Sequence, residues 1–247
     1  MKVLICIGHV PDTTSKIKFV NQDTQFDKTN IQYIIGPYEE LALTRLLDIQ
    51  DKFSELKITA VNVGLEETEP TIRKALAIGA DDAIRVNAEP VDALFVAHQI
   101  AEIYKKDKYD FVVCGKESID YNGGQVGEML AEILNIPSVT STSHIEIEAS
   151  KAKLEREIDG GKEQIELEYP FVSTAGKGFA IEPRIPSMRG IMASRKKPLI
   201  VFEPVNAEQK TKPLKFHLPE SKYACKYIDA ENVQELVNLL HTEAKVI

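Results

Sequence analysis

Three apolar runs, each stopped by a glycine, constrain this chain more than any other feature. Residues 3–7 (Val-Leu-Ile-Cys-Ile) end at Gly8, residues 58–63 at Gly64 and residues 111–114 at Gly115. Unbroken apolar runs of this length suit strands buried on both faces, the condition of a parallel sheet covered by helices on each side. The intervening segments supply those helices. Ile72, Ala75, Leu76 and Gly79 fall at i, i+3, i+4 and i+7; Leu94, Ala97, Ala101 and Tyr104 mark a second apolar stripe. Val126, Met129, Leu130, Ile133 and Leu134 mark a third, the cleanest of the set. Strands alternating with helices predict an α/β fold built on a parallel sheet with right-handed crossovers.

Two stretches break the rhythm. Residues 16–20 and 31–35, around the polar segment 21–30, predict a small hairpin inserted after the first strand. Over residues 145–174 the pattern turns antiparallel, with alternation in 154–158 and 165–169. Asp159-Gly160 between them signals a tight turn at positive φ. Beyond Phe202, Pro204, Pro213 and Pro219 exclude continuous sheet or helix. Asp229 is the expected cap of a last helix with Val233, Leu236, Val237 and Leu240 on one face. The expected organisation is therefore an α/β domain over 1–203 and an arm over 204–247. Such an arm needs a surface to dock on, its own or another chain's.

Composition narrows the function. A chain of 247 residues can bury a full core. Its net charge of −8 argues against nucleic acid, which requires a basic face. The one dense basic run, Arg195-Lys196-Lys197, is expected as a solvated loop. Cys6, Cys114 and Cys225 have no metal-ligand spacing, and their sparse, odd number fits a reducing compartment. Cys6 and Cys114, inside apolar runs, are expected to act as small hydrophobes. No apolar stretch approaches the roughly 18 residues of a membrane span. The opening Met-Lys-Val-Leu-Ile-Cys-Ile-Gly reads as a first strand, so no signal peptide or membrane insertion is expected and the location is cytoplasmic. No G-x-S-x-G elbow or H-E-x-x-H pair occurs, and His9, His98, His144, His217 and His241 are scattered. Neither a catalytic residue nor a metal site is expected.

Open parallel sheets bind ligands beyond the carboxyl ends of their strands, where the strand order reverses. Gly8, Gly64 and Gly115 stand at such ends, where a missing side chain lets another group approach the backbone. The last continues as G-K-E-S-I-D-Y-N-G-G-Q-V-G, with Gly123-Gly124 directly before the cleanest helical stripe. Glycine amides at a helix start form an anion site, or the pair makes a tight loop and nothing more. The segment is neither a Walker A loop nor a G-x-G-x-x-G fingerprint, so residue types leave both readings open. With no acid, base or nucleophile in view, a nucleotide held here would be a structural or redox ligand, not a substrate.

A longer string carries more. Arg156, Asp159-Gly160-Gly161, Glu163, Ile165, Pro170 and Thr174 together resemble the signature of the electron-transfer flavoprotein β subunit. Leu154 stands where that family has a smaller aliphatic residue and Ser173 where it has an aliphatic one. The likeness extends over essentially the whole chain. It implies a three-layer, Rossmann-like, adenine-nucleotide-binding parallel sheet with an antiparallel hairpin insertion and a C-terminal arm. It also implies an AMP held in this chain by Cys6, by Gly36, Pro37, Tyr38 and Glu39, and by Val63. The same site would continue through Gly115, Lys116, Glu117, Ser118, Ile119, Asp120, Tyr121, Asn122, Gly123, Gly124, Gln125 and Val126. Several of these would bind through backbone, and Asp120 and Gln125 are the loop side chains suited to polar contacts. The Tyr121-Asn122-Gly123-Gly124 stretch departs from the family's more acidic or hydroxyl-rich loop.

The resemblance further implies an α subunit carrying most of an FAD site, with this chain docking on it through the arm. The pair would take electrons from dehydrogenases such as acyl-CoA dehydrogenases and pass them to a membrane quinone oxidoreductase or another acceptor. Glu182-Pro183-Arg184 resembles the lead into a partner-recognition loop over 185–193, with Met188 aligned to the family's protruding leucine and Ile191 beside it. Pro183 and Pro186 would stiffen its approach, and Gly190 would let the chain turn. The alternative is the bifurcating or nitrogen-fixation branch, in which a second FAD replaces AMP and oxidises NADH. A stand-alone ATP-binding stress protein on a similar sheet would lack the arm and the Asp-Gly-Gly hairpin.

Overall fold

The first apolar run becomes the central strand of a nine-stranded sheet. β1 (Lys2–Cys6) buries Val3, Leu4 and Ile5 completely, because strands flank both its edges and helices cover both faces. The computed structural model describes residues 1–220 and 224–247. After β1 come β2 (His9–Pro11), β3 (Phe19–Val20), β4 (Gln25–Phe26), β5 (Tyr33–Ile35) and α1 (Pro37–Gln50). Next are β6 (Lys57–Val63), α2 (Glu69–Ile78), β7 (Asp82–Val86), α3 (Ala93–Asp107), β8 (Phe111–Gly115) and α4 (Val126–Leu134). The chain ends with β9 (Ser138–Ile147), β10 (Lys151–Ile158), β11 (Gly161–Glu168), β12 (Phe171–Ala175), α5 (Met188–Ser194), β13 (Leu199–Phe202) and α6 (Val233–Leu239).

The strand order is β11-β10-β9-β12-β8-β1-β6-β7-β13. Every pairing from β9 to β13 across the sheet is parallel, while β10 runs antiparallel to β9 and β11. The chain builds from β1 through β6 to β7 on one side, then crosses to lay β8 on the other. That reversal, between β1 and β8, is the switch point. On one face Leu43 and Leu46 of α1 and Ile72 and Leu76 of α2 pack with Val3 and Ile5. On the other, Ala97 and Ile100 of α3 and Leu130 of α4 pack with Leu4 and Val112. The three-layer, Rossmann-like architecture follows from these two apolar clusters sandwiching one sheet.

The helices start and stop for local reasons. α1 opens with Pro37 in its first turn, where a missing N–H costs nothing. Asp92 caps α3 by accepting from Phe95 N–H at 2.7 Å. α4 ends at Asn135 with φ 52°, a left-handed cap. Gly79 follows α2 as its cap and is not part of the apolar stripe.

The string that carried the family likeness is largely a built hairpin. Arg156 stands opposite Glu163 across β10 and β11, with Nε 2.5 Å from Oε2. Gly160 turns between them at φ 85°. Leu154 sits in the core, and the buried Ser173 hydroxyl is satisfied by Thr142 Oγ1 at 2.8 Å. Both departures from the family pattern are therefore accommodated.

Two local expectations are corrected. Residues 16–20 do not pair with 31–35. Asn21, Gln22 and Asp23 all take positive φ and close a tighter hairpin between β3 and β4, which frees β5 to pair with β2. The last helix is capped by Asn232, whose Oδ1 accepts from Glu235 N–H; Asp229 instead shapes the turn before it.

The segment after β13 lies against the domain for part of its length. Gln99 brackets Val205, donating to its carbonyl at 2.9 Å and accepting its N–H at 2.8 Å. The Asp92 carboxylate accepts from Lys210 and Thr211, and Phe216 stacks on Phe19 at 4.9 Å. Val233, Leu236 and Val237 of α6 remain exposed.

Candidate functional site

The α1 helix begins immediately after β5, and its first turn brings Glu39 to the ends of β1 and β8. Glu39 is only 7 % exposed, yet it is an acid. A Cβ at Gly8, Gly36 or Gly115 would run into its carboxyl group. The strand-end glycines thus do permit a close approach, but the group that approaches Gly8 and Gly115 is this carboxyl. At Gly64 it is the side chains of Thr68 and Asn62. Burial lifts the Glu39 acid to about 7, with the Asp120 charge pushing the same way. Its Oε2 atom is buried and has no hydrogen-bond partner among the described residues. A buried, unpartnered acid oxygen at the switch point calls for a ligand group.

The segment from Gly115 to Val126 forms the facing wall. Lys116 N–H donates to Ala175 O at 2.9 Å, which anchors the loop to β12, and Asn122 N–H donates to Ser118 O at 2.7 Å. Ser118 donates to Asp120, which also accepts from Tyr121 N–H at 2.9 Å. Asn122 and Gly124 take positive φ, so the chain doubles back before α4. Gln125 leads into α4 without a side-chain cap on its opening N–H groups. An uncapped helix start is attractive to an anion.

A third wall was not foreseen. The His9 ring stacks on Tyr33 with centroids 4.2 Å apart, and His9 Nδ1 lies 2.8 Å from Thr71 Oγ1. Burial lowers the His9 pKa against the opposing pull of Glu67. Lys28 Nζ sits between Glu67 at 3.7 Å and Glu89 at 3.8 Å. The Asp120 charge acts on His9, Tyr33 and Tyr121, so the loop and the inserted segment lie near one another. The available signal was Tyr33, an aromatic inside a strand-like run directly before Gly36-Pro37.

Cys6 and Val63 end β1 and β6 on the same side of the sheet. The geometry therefore gathers Cys6, Gly36, Pro37, Tyr38, Glu39, Val63 and the loop through Val126 at the carboxyl ends of three adjacent strands.

Met188 and Ile191 lie elsewhere, on α5 against α2. Residues 185–193 are not a loop throughout. Ser187 caps a short helix by accepting from Gly190 N–H at 3.0 Å. Gly190 serves close packing, not turning, because a Cβ there would collide with the Ala77 carbonyl of α2. Met188 is 76 % exposed. Ile191 borders a groove of about 620 Å³ between α2 and α5, lined also by Pro70, Ala77 and Pro186.

Two cations brace this surface. Arg73 of α2 donates to the carbonyls of Ser194 at 2.8 Å and Lys197 at 2.9 Å. Lys197 reaches back to the carbonyls of Leu76, Gly79 and Ala80 at 3.0, 3.1 and 2.6 Å. The basic run is thus not wholly solvated: Arg195 and Lys196 are exposed, whereas Lys197 is partly buried and closes the end of α2. Arg184 ties the approach to α1 through Asp48 and Asp51 at 2.5 and 2.6 Å.

Comparison with known proteins agrees over most of the chain. The electron transfer flavoprotein domain profile matches residues 23–207. The electron transfer flavoprotein subunit beta of Bacillus subtilis (strain 168) is 36% identical, over 100% of both chains. Its namesake from Syntrophomonas wolfei subsp. wolfei is 36% identical over 91% of this chain and 88% of the relative. The Homo sapiens protein of the same name is 34% identical over 83% of this chain and 82% of its own.

Proposed function

The chain belongs to the electron transfer flavoprotein family, among its β subunits, and on that premise we propose that it is the AMP-holding subunit of a heterodimeric electron carrier. The observation that carries the AMP assignment is Glu39: a buried acid with an unpartnered oxygen at the switch point, facing a loop that opens an uncapped helix. These features fit a nucleotide. The phosphate would take the backbone N–H groups of the Gly115–Val126 segment and the start of α4. Asp120 and Gln125 offer polar side chains, while Glu39, Tyr38, Cys6 and Val63 form the remaining walls. A neutral Glu39 acid can donate one hydrogen bond and accept others, whereas the ionised form only accepts.

The FAD, bound mainly by an α subunit, supplies the electron-accepting and electron-donating chemistry. This chain contributes binding and recognition. The arm over 204–247 docks on the α subunit, which gives the exposed Val233, Leu236 and Val237 stripe a partner. Met188 and Ile191 present α5 to dehydrogenases, acyl-CoA dehydrogenases among them, and the electrons leave to a membrane quinone oxidoreductase or another acceptor. Among the described residues no helix is long and apolar enough to cross a membrane, and the complex works in the cytoplasm.

The test is the nucleotide content of the purified α/β heterodimer, extracted and separated by chromatography. One FAD and one AMP per heterodimer is the expected result. Two FAD and no AMP would overturn it in favour of a bifurcating carrier.

A further inference from the structure

Cys6 ends β1 and Cys114 is the penultimate residue of the neighbouring parallel strand β8, and their Sγ atoms lie 3.4 Å apart. The register pairs Leu4 with Val112 and Ile5 with Val113, so the next rung sets the two cysteines opposite each other. Paired strands run about 4.7–4.9 Å apart, inside the roughly 4.4–6.8 Å between Cα atoms that a disulfide spans. Bonding requires the sulfurs to close from 3.4 Å to about 2.05 Å, a movement that side-chain rotation can supply. Both thiols are free.

The two are not equivalent. Cys114 is buried at 3 % exposure among side chains of the cluster that includes Leu130 of α4. The adjacent Cys6 thiol and burial hold its pKa well above the ordinary thiol value, so it is a poor target for a dissolved oxidant. Cys6 is partly exposed and sits at the strand end where the chain opens toward the candidate nucleotide site. An accessible thiol next to a buried resolving thiol is the arrangement of a reversible redox pair.

We propose that Cys6 and Cys114 form a reversible disulfide on exposure to hydrogen peroxide, making the switch point a redox modification site. The Cys6 thiolate attacks one peroxide oxygen; the O–O bond breaks, and the departing hydroxide takes a proton to become water. Cys6 is left as a sulfenic acid. The Cys114 sulfur then displaces that hydroxyl from the Cys6 sulfur, and the thiol proton leaves with it as a second water. Two thiols are oxidised and one peroxide is reduced to two waters. Shielding of Cys6 by bound AMP rests on the function proposed above; formation of the bond does not.

The experiment treats the purified heterodimer with increasing hydrogen peroxide, quenches it in denaturant with N-ethylmaleimide and maps the peptides by mass spectrometry. Alkylation should be lost at Cys6 and Cys114 together, with a cross-linked peptide pair that dithiothreitol dissolves. In Cys6→Ser, Cys114 should stay alkylatable at the same dose. The exposed Cys225 is the internal reference. Cys6 and Cys114 both remaining alkylatable after Cys225 is oxidised would overturn the proposal. So would Cys6 advancing to sulfinic acid with no cross-link. Repeating the titration on heterodimer stripped of its nucleotide tests the other reading separately: cross-linking faster than in the nucleotide-loaded protein supports AMP over Cys6, and an equal rate counts against that placement while the disulfide stands.

Discussion

The carboxyl of Glu39 occupies the space that a side chain at Gly115 would need. A Cβ at that position would stand 2.7 Å from the Glu39 carboxyl carbon. The end of β8 and the start of α1 are therefore fitted to one another through a buried acid. Gly115→Ala should push Glu39 off its site, at an overpacking cost of about 1–3 kcal/mol. The variant should unfold at lower temperature and copurify with less AMP. Wild-type stability and full AMP content in Gly115→Ala would show that the acid can move without consequence.

Glu39 also sets a pH dependence. Its folded pKa is raised from 4.5 to about 7, chiefly by burial, so the folded protein binds a proton that the unfolded chain has released. Stability from this group is fully present below 4.5 and lost as pH rises through about 7. The unfolding temperature of AMP-free protein should fall across that window. In Glu39→Gln, which keeps a neutral side chain at every pH, the fall should shrink. Identical pH profiles for the two proteins would mean that folding does not raise the Glu39 pKa.

Lys197 should matter where its neighbour does not. It donates to three carbonyls at the end of α2 and joins that helix to the segment after α5. Leaving those carbonyls short of partners in Lys197→Met should cost about 1–3 kcal/mol, or roughly 2–4 °C per kcal/mol for a chain of this size. The exposed Lys196→Met should change stability by no more than about 0.5 kcal/mol. Equal effects of the two substitutions would remove the brace from the account.

Met188 makes the opposite kind of test, because it is exposed on a helix that is firmly held. Met188→Ala should slow dehydrogenase-coupled flavin reduction by the equivalent of about 1–3 kcal/mol, with the unfolding temperature unchanged. A variant that loses stability while accepting electrons normally would place Met188 in the core.

The alternating architecture was legible because the runs ending at Gly8 and Gly115 are unbroken and the one ending at Gly64 is interrupted only by Thr59 and Asn62, as suits strands buried on both faces. β7 was hidden by Arg85, whose charge interrupts its apolar run although the side chain is buried and donates to Gly64 O at 3.0 Å and Asn87 Oδ1 at 2.9 Å. β13 was hidden because Ile200 and Val201 are exposed on an edge strand. The stacking of His9 on Tyr33 depends on the β2–β5 pairing, which local pattern obscured because residues 21–23 adopt left-handed backbone. The glycines of the candidate site were visible, but not what fills the space beside them. That required knowing that α1 turns Glu39 back toward the sheet, a tertiary fact with no local signature. Lys197 misled for a related reason: a basic run reads as solvated until a helix end supplies carbonyls for one of its members.

The central claim is that a nucleotide lies at the switch point between β1 and β8, beside Glu39 and against the start of α4. A crystal structure of the purified α/β heterodimer, at a resolution that distinguishes AMP from FAD, tests it most directly. The expected result is AMP at that switch point, with its phosphate at the Gly115–Val126 loop and a polar group within hydrogen-bonding distance of Glu39 Oε2. A second FAD there, or a nucleotide bound away from Glu39 and that loop, would contradict it.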